Sequence, residues 1–249
     1  MTYTDRILSF LSRHNYTKIT PRAALIDMDG TLYNSMPHHA RAWHIMMAEN
    51  GVDLPAEEFF LHEGRTGAAT INLLFQRTLG REASPSEIER LYRRKTELFA
   101  AMPPVEPMPG AARMLSILEE RGIKRVLVTG SGQNSLINRL DTDFPGAFMP
   151  HMRVTARDVT RGKPAPEPFL AAMAKAGVAP SESIVIENAP LGVEAGAASG
   201  AFTIGINTGP IPPSVLIEAG ADLVFDSMPE FAEALPQLLR DMALTENKL

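Results

Sequence analysis

The sequence predicts an α/β protein with a doubly wound parallel sheet and an inserted all-helical segment. Largely apolar runs at 23–26, 124–129 and 183–186 alternate with helical patterns, and each run ends in polar residues. This is typical of buried parallel strands with helices on both faces. Roughly ninety residues separate the first two runs, far more than an ordinary crossover needs. We therefore expect a helical insertion after the first strand.

The first strand ends in two carboxylates, Asp27 and Asp29, followed at once by Gly30. Because side chains alternate along a strand, the two acids should point the same way at the carboxyl end of a core strand. Mg²⁺ would neutralise the pair, leaving one carboxylate to attack an electrophile and the other to move a proton. Gly30 permits a tight exit, and the Thr31 hydroxyl with nearby amides can hold an anion. Taken alone, the motif fits two acids in a surface turn equally well.

Composition restricts the function classes. The 249 residues are 45% hydrophobic and carry a net charge of -5, so they can bury a substantial core but offer no basic footprint for nucleic acid or anionic membrane. The absence of cysteine excludes disulfides and thiolate chemistry, and no apolar run approaches the roughly 20 residues of a membrane span. Within 1–20 we expect an amphipathic helix rather than a signal peptide. A cytoplasmic monomer without nucleic-acid or membrane partners is expected.

The pattern of the insertion predicts helices over 37–50, 56–62, 68–79 and 85–101. Ser84, before Pro85, is the expected N-cap of the last of these helices. No strand pattern occurs among them, so the segment should form a small helical domain that returns to the sheet near Pro103. A further helix then runs to Arg121.

Two later segments carry groups suited to phosphate. The strand at 124–129 ends in Thr129 and continues as Gly130-Ser131-Gly132-Gln133 before a helix to Leu140. This arrangement offers amides, hydroxyls and a helix N-terminus to an anion, although a glycine-rich connecting turn is the alternative. Lys163 lies in a proline-rich turn before a helix over 167–176. It would suit neutralisation of a phosphate, although surface lysines are usually solvated.

The strand at 183–186 ends in Glu187 and Asn188, polar residues that could face the first carboxylate pair. Asn188 can offer a carbonyl oxygen to Mg²⁺, but a neutral ligand binds the ion less strongly than a carboxylate does. The rest of the chain predicts helices over 189–199, 214–219 and 229–239 and strands over 201–206 and 223–225.

In this order, the motifs from about 23 to 209 resemble those of the haloacid dehalogenase superfamily. The resemblance implies phosphoryl transfer through an aspartyl-phosphate, with Asp27 as nucleophile and Asp29 as general acid/base. It further implies that Thr129 lies in the second motif, that Lys163 neutralises the phosphate and fixes Asp27, and that the fourth motif binds metal. The family usually has two acids in that fourth motif, so Asn188 departs from the pattern and removes one charge.

Within the superfamily, residues 38–43 resemble the start of the cap in β-phosphoglucomutases, and Lys95 sits where those enzymes present a cap lysine. The resemblance implies a Rossmann-like core domain of 1–34 and 106–249 and a helical cap domain of 35–105 that closes over the site. His39 and Lys95 are then expected to contact the substrate. A packed histidine and a solvated lysine are the ordinary alternatives, and Arg65 could bind phosphate or pair with an acid.

Three stretches, 62–67, 129–133 and 187–192, are similar to a β-phosphoglucomutase-like branch that hydrolyses inorganic pyrophosphate. We therefore expect a Mg²⁺-dependent phosphohydrolase acting on pyrophosphate. A β-phosphoglucomutase or small sugar-phosphate phosphatase is the alternative, and a binding module with a relic site is the third hypothesis. The predicted substrate contacts are Gly30, Thr31, His39, Arg65, Lys95, Gly130, Ser131 and Gln133.

Glu63 is expected to reach the active site from the cap. It lies in a loop with Gly64 and Gly67, where the backbone can approach the core closely, although a solvated loop acid is the usual fate of glutamate. A carboxylate facing a polyanionic substrate would be repulsive unless it met a cation, and Asn188 leaves the metal site one charge short. The predicted ligands of Mg²⁺ are therefore Asp27, Asp29, Glu187, Asn188 and Glu63.

Overall fold

Six short segments form one parallel sheet in the computed structural model, which describes residues 2–130 and 134–246. In chain order they are β1 (Ala23–Ile26), β2 (Lys124–Val128), β3 (Arg153–Val154), β4 (Ser183–Glu187), β5 (Phe202–Ile206) and β6 (Leu223–Phe225). Side by side they run β3, β2, β1, β4, β5, β6. The predicted doubly wound parallel sheet is confirmed, and the strand order reverses between β1 and β4, where such sheets bind their ligands.

Helices cover both faces of the sheet and form the long connection after β1. In the described part of the chain they are α1 (Tyr3–His14), α2 (Met36–Ala48), α3 (Gly67–Leu79), α4 (Pro85–Ala100), α5 (Ala111–Glu120), α6 (Asn134–Asp143), α7 (Glu167–Ala176), α8 (Pro190–Ala198), α9 (Pro213–Glu218) and α10 (Met228–Leu244), with short 3₁₀ helices at Ala56–His62, Pro150–Met152 and Pro180–Glu182. None of these described helices has the length and apolar character needed to pass through a membrane.

Alternate residues of β1 enter two different cores. Ala24 and Ile26 belong to the cluster that α1, α5 and α10 also line, whereas Leu25 packs in a second cluster with Phe169 of α7. All four are fully buried, and burying a side chain such as Ile26 contributes about 1.5–3 kcal/mol. Because both faces of β1 are covered, every residue of the strand is apolar. The first charged residue, Asp27, follows directly after the strand.

The helical insertion has an apolar core of its own. The buried side chains that form it come mainly from α2, α3 and α4, and include Met46, Ile71 and Leu91. α4 begins as predicted: Ser84 Oγ accepts a hydrogen bond from the Glu87 amide, and the Glu87 carboxylate accepts one from the Ser84 amide. A separate core supports the predicted cap of 35–105, whose boundaries stay a prediction.

The two chain crossings between the insertion and the sheet run side by side. The amide of Asn34 donates to the carbonyl of Glu106 (3.0 Å), and the amide of Met108 donates to the carbonyl of Leu32 (2.8 Å). Tyr33 lies on the first crossing and is fully buried. Because these hydrogen bonds tie the crossings together, a displacement of one crossing displaces the other.

Among the elements that differ from their predicted form are β3, the helix at Ala56–His62 and α10. β3 was not expected, because two residues are too short to show a periodic pattern. The helix at Ala56–His62 is 3₁₀. α10 extends to Leu244 rather than residue 239, because Met242 continues its buried face, and it does so despite Pro236 within the helix.

Candidate active site

The carboxyl ends of β1, β2 and β4 bring the predicted catalytic groups to one edge of the sheet. Asp27 and Asp29 follow β1, Thr129 follows β2 and Glu187 ends β4. The parallel ladder continues past β1, since the Asp27 amide donates to the carbonyl of Ile186 (3.0 Å). Each of the four site residues is at most 9% exposed. Charges in such a place act on one another strongly because little water screens them.

Lys163 joins the first strand end to the fourth. Its ammonium donates to Asp27 Oδ1 and Glu187 Oε1, both at 2.5 Å, and to the carbonyl of Val128 at 3.1 Å. Burial lowers the pKa of Lys163, but the two carboxylates more than offset this and raise it above its usual value. The side chain therefore stays charged. It is 2% exposed, so Lys163 is not a solvated surface lysine.

A chain of hydrogen bonds leads from Asp29 into the insertion. Asp29 Oδ1 lies 3.0 Å from His39 Nε2, and His39 Nδ1 lies 2.6 Å from Lys95 Nζ. A charged lysine can only donate, so Nδ1 accepts and the proton of a neutral His39 sits on Nε2, facing Asp29. Burial lowers the pKa of His39, which keeps the ring neutral, and lowers the pKa of Lys95 to about 8. The structure thus connects Lys95 to Asp29 through His39. Both His39 and Lys95 also line the cavity, and their expected contact with substrate stays a prediction.

Two side chains that no sequence pattern singles out hold the first motif. Ser35 is fully buried, and its hydroxyl donates to Asp29 Oδ1 (2.7 Å). Burial raises the pKa of Asp29, but His39 and Ser35 reverse this, so that the pKa lies below its usual value. Thr208, far along the chain, donates to the carbonyl of Gly30 (2.7 Å). A serine before a helix looks like an ordinary N-cap, so Ser35 gives no signal of a second role.

Glu63 reaches the core from the loop after the Ala56–His62 helix. Asn188 Nδ2 donates to Glu63 Oε2 (3.1 Å), whereas Glu63 Oε1 is buried without a hydrogen-bond partner. Burial and the charges of Asp27 and Glu187 raise the pKa of Glu63 well above its usual value. A buried carboxylate oxygen with no partner, among other acids, would be stabilised by a cation. Glu63 is therefore not a solvated loop acid.

Thr31 and Asn188 contact each other at the edge of the site. Thr31 is fully buried, and its hydroxyl donates to Asn188 Oδ1 (3.2 Å). That hydroxyl thus helps to position Asn188, and its predicted contact with an anion stays a prediction. The Nδ2 of the same amide donates to Glu63. Its Oδ1, the oxygen expected to bind Mg²⁺, already accepts the hydrogen bond from Thr31.

The loop that carries Glu63 lies close to the core because glycines face each other. Gly64 has a φ of +85°, and a Cβ on Gly130 would lie 2.9 Å from the Gly64 carbonyl oxygen. A Cβ on Gly64 itself would lie 3.3 Å from Lys163 Cδ. A side chain at either position would push the loop outward. The close approach expected at Gly64 is present, whereas Gly67 packs against Tyr92 within the insertion.

A cavity of about 80 Å³ lies between the core and the insertion. Its lining includes Asp27, Asp29, Met36, His39, Trp43, Phe59, His62, Glu63, Arg65, Thr70, Tyr92, Lys95, Thr129 and Gly130. Arg65 Nε is buried without a hydrogen-bond partner, which favours an anionic ligand for Arg65 over a neighbouring acid. The predicted contacts Ser131 and Gln133 lie outside the described residues.

The donor set fits a hard divalent cation. Four acids meet here, which are Asp27, Asp29, Glu63 and Glu187. Burial and the charge of Glu187 raise the pKa of Asp27 well above its usual value in spite of Lys163. The single lysine therefore does not neutralise the negative charge of the four acids. Among the described residues no three acidic or histidine side chains are already arranged to hold a metal ion. Lys163, Ser35 and His39 contact several of the acid oxygens. The remaining oxygens are of the kind that Mg²⁺ prefers.

Comparison with known proteins agrees with this geometry. Residues 21–200 match the model of the haloacid dehalogenase-like hydrolases. Hexitol phosphatase A of Escherichia coli (strain K12) is 32% identical over 74% of this chain and 82% of its own length. The beta-phosphoglucomutase of Bacillus subtilis (strain 168) is 28% identical over 82% of this chain and 88% of its own.

A solved structure named "Putative beta-phosphoglucomutase from Bacteroides vulgatus" has a TM-score of 0.93 and 46% sequence identity, covering 96% of this chain and 98% of its own. The matched range 21–200 contains all the motifs whose side chains meet at the sheet edge, from Asp27 to Asn188. The chain therefore belongs to the haloacid dehalogenase-like hydrolases.

Proposed function

We propose that this protein hydrolyses small phosphorylated sugars or sugar alcohols in two steps, with Asp27 carrying the phosphoryl group between them. The observation that carries the proposal is the contact of Lys163 with both Asp27 and Glu187, beside a separately held Asp29. A nucleophilic carboxylate is stabilised by a fixed cation beside it, as Lys163 is beside Asp27. A general acid/base needs a neighbouring group that can exchange protons with it, as His39 can with Asp29. The names of the relatives support a sugar or hexitol phosphate as the substrate.

In the first step, Asp27 attacks phosphorus, so that a carboxylate oxygen bonds to phosphorus and the bond to the leaving oxygen breaks. Asp29 gives a proton to that oxygen. Because the pKa of Asp29 is low, Lys95 and His39 supply this proton: one proton moves from Lys95 to His39 Nδ1 as another moves from His39 Nε2 to Asp29. Lys163 stabilises the negative charge on the transferring group.

In the second step, water attacks the phosphorus of the aspartyl-phosphate, and the bond between phosphorus and the Asp27 oxygen breaks. Asp29 accepts the proton of this water, and the hydrogen-bond chain returns a proton through His39 to Lys95. Inorganic phosphate leaves, and every protein group regains its starting protonation state. The chain of three side chains thus serves as a reversible proton store.

A requirement for Mg²⁺ is part of the proposal. Asp27, Asp29, Glu187, Asn188 and Glu63 would hold the ion, which when bound would neutralise charge on the acids and the phosphoryl oxygens. The unpartnered Oε1 of Glu63 supports this set. Removal of divalent cations with a chelator should abolish turnover, and added Mg²⁺ should restore it. We also propose, from the sequence, that the enzyme acts as a cytoplasmic monomer.

Inorganic pyrophosphate is the second candidate substrate. The relatives named above have sugar substrates in their names, so they favour a sugar phosphate. Two features of the site favour pyrophosphate. A cavity of about 80 Å³ that includes Glu63 leaves little room for a hexose, and Arg65 and Lys95 are cations that could meet a second phosphate group.

A substrate panel with Mg²⁺ tests the proposal. Phosphate release is measured from a hexitol phosphate, hexose phosphates and pyrophosphate, and glucose 6-phosphate formation is measured from β-glucose 1-phosphate with a bisphosphate primer. We expect the largest kcat/KM for a sugar or hexitol phosphate. A kcat/KM for pyrophosphate about tenfold or more above every sugar phosphate would replace the first candidate with the second. Efficient isomerisation with little phosphate release would indicate a mutase, and inactivity throughout would leave only a binding role.

A further inference from the structure

Three side chains outside the cavity bind both crossings between core and insertion. Tyr33, on the first crossing, donates its hydroxyl to Asp143 Oδ2 (2.9 Å). Arg139, one turn earlier on α6, pairs with the same carboxylate oxygen at 2.9 Å and donates to the carbonyl of Val105 on the second crossing at 2.7 Å. Its guanidinium also lies 5.6 Å from the centre of the Tyr33 ring. We call these three residues, Tyr33, Arg139 and Asp143, the hinge clamp.

The hinge clamp is partly shielded from water: the side chain of Arg139 is 36% exposed, but its bonding partners are more deeply buried. Tyr33 is fully buried, Val105 is 4% exposed, and the side chain of Asp143 is 16% exposed. Phe144 packs against the Tyr33 ring with the ring centres 5.6 Å apart. Burial and the bond to Asp143 raise the pKa of Tyr33 above its usual value, so its hydroxyl stays a donor. The Tyr33 hydroxyl and the Arg139 guanidinium both donate to the Asp143 carboxylate, which has little access to water, so each of these hydrogen bonds helps to fix the other.

The hinge clamp belongs to the core, but the segments it binds lead into the cap. α6 contributes Leu136 and Leu140 to the main core, so Arg139 and Asp143 project from a fixed helix. The crossings instead continue into α2 and out of α4, which carry His39 and Lys95. A small rotation about the crossings would therefore move these two side chains relative to the core acids.

Such a rotation would lower the rate of the reaction. The cap meets the core through side-chain contacts: 3.0 Å from His39 Nε2 to Asp29, and 3.1 Å from Asn188 Nδ2 to Glu63. A displacement of about 1 Å is enough to break contacts of this kind and can cost about a hundredfold in rate. None of the three clamp residues lines the cavity, so their influence on catalysis must be indirect.

We propose that the hinge clamp positions the cap, holding both crossings in the arrangement in which His39 and Glu63 meet the core. Tyr33, Arg139 and Asp143 are positioning residues for the active site. The effect on turnover rests on the proposed function, whereas the effect on cap position does not.

The single tryptophan of the chain, Trp43, reports cap position without any substrate. It lies on α2, lines the cavity, and its ring centre is 5.4 Å from Lys95 Nζ. If the cap rotates away from the core, the cavity opens and the indole gains contact with solvent. Quenching of Trp43 fluorescence by acrylamide therefore measures the closure that the clamp is proposed to maintain.

The experiment compares Tyr33→Phe and Asp143→Asn with the matched control Asp141→Asn. Asp141 lies on the same helix, pairs with Arg153, and its side chain is 64% exposed. In both clamp variants, we expect the Trp43 quenching constant to rise about twofold or more, since a more open state becomes populated. kcat/KM for the best phosphate substrate should fall about tenfold, because the loss of one hydrogen bond to a charged group shifts the balance between closed and open cap by a factor of about this size. The control should match the wild type in both measurements.

Unchanged Trp43 quenching in both clamp variants would overturn the proposal, even if their melting temperatures fell, because the clamp would then be structural only. If Asp143→Asn does not fold, Tyr33→Phe decides, since it removes one oxygen and keeps the ring. The quenching result needs no turnover. A positive result would therefore stand even if the substrate panel rejected the proposed function.

Discussion

The core half and the cap half of the site are held in place in different ways. Asp27 and Glu187 stand at the ends of paired strands, and the backbone ladder fixes their spacing. Glu63, His39 and Lys95 come from a loop and two helices and meet the core through side-chain contacts. The core half is thus preorganised by the sheet, whereas the cap half depends on where a whole unit sits. Changes in the core should remove the chemistry, and changes in the cap should alter proton supply and substrate choice.

The largest effect is expected from Asp27→Asn, which keeps the shape of the side chain and removes the nucleophile. kcat should fall on the order of 10⁴-fold or more, as when the nucleophile of other covalent enzymes is removed. Phosphate release on the best substrate measures the loss, and mass spectrometry of acid-quenched protein should show a phosphoryl adduct in the wild type and none in the variant. Turnover within tenfold of the wild type would rule out a nucleophilic Asp27.

The core half could largely be predicted from the sequence because its signals are local. An apolar run that stops at Asp27, or at Glu187, marks the end of a buried strand, and parallel strands put their ends together. The resemblance to the haloacid dehalogenase superfamily implies that Lys163 meets Asp27, and the 2.5 Å contact matches this in geometry. The catalytic roles of these residues stay predictions.

The remaining contacts could not be predicted, because they depend on how distant segments pack. Ser35 and Thr208 have ordinary local patterns, and their contacts with the first motif appear only in the folded chain. The contact of the Thr31 hydroxyl with Asn188 likewise joins residues far apart in the chain, and the predicted contact of Thr31 with an anion stays a prediction. The hinge clamp joins residues more than a hundred positions apart, Tyr33 and Asp143, and no periodic pattern records such a pairing.

The second largest effect is expected at Glu63, where the cap half meets the proposed metal site. Glu63→Ala should lower kcat/KM about 10–100-fold and raise the Mg²⁺ concentration needed for half-maximal rate, as losses around metal ligands do. If pyrophosphate is a substrate, its hydrolysis should suffer far more than that of a small activated aryl phosphate at saturating Mg²⁺. Glu57→Ala, an exposed cap glutamate, is the matched control. Equal losses on both substrates with an unchanged Mg²⁺ dependence would remove Glu63 from the metal site.

A smaller effect is expected at Lys95, which ends the hydrogen-bond chain from Asp29. Because the pKa of Lys95 is lowered to about 8, the lysine loses its proton as pH rises through that value and can no longer supply one. kcat for an unactivated phosphate ester should therefore decline above about pH 8, and Lys95→Met should lower kcat about tenfold or more and lose this decline. An aryl phosphate with a good leaving group needs less acid catalysis and should be affected less. If kcat of Lys95→Met still declined near pH 8, the decline would have to come from the titration of another group.

The smallest effect on activity is expected at Asp222, a buried core carboxylate far from the site. It accepts from the Thr203 amide (2.8 Å) and pairs with Arg13 of α1. Burial outweighs these partners and raises the pKa of Asp222 to about 6, in contrast to Asp29, whose partners prevail over burial. A comparison of the two aspartates therefore separates the proposed acid/base, Asp29, from a carboxylate that fastens a helix.

The sign of the effect on stability follows from that pKa. A folded-state pKa above the unfolded value of 3.8 means that protonation of Asp222 favours the folded state, so this contribution is largest below about pH 4 and is lost as pH rises through about 6. The free energy of unfolding of the wild type minus that of Asp222→Asn should therefore increase as pH falls from 7 to 4, by roughly 1–3 kcal/mol at 1.36 kcal/mol per pKa unit. Urea unfolding at several pH values measures it, and kcat at pH 7 should stay at the wild-type value. A difference that did not change with pH would mean that Arg13 and Thr203 keep Asp222 ionised throughout, as His39 and Ser35 do for Asp29.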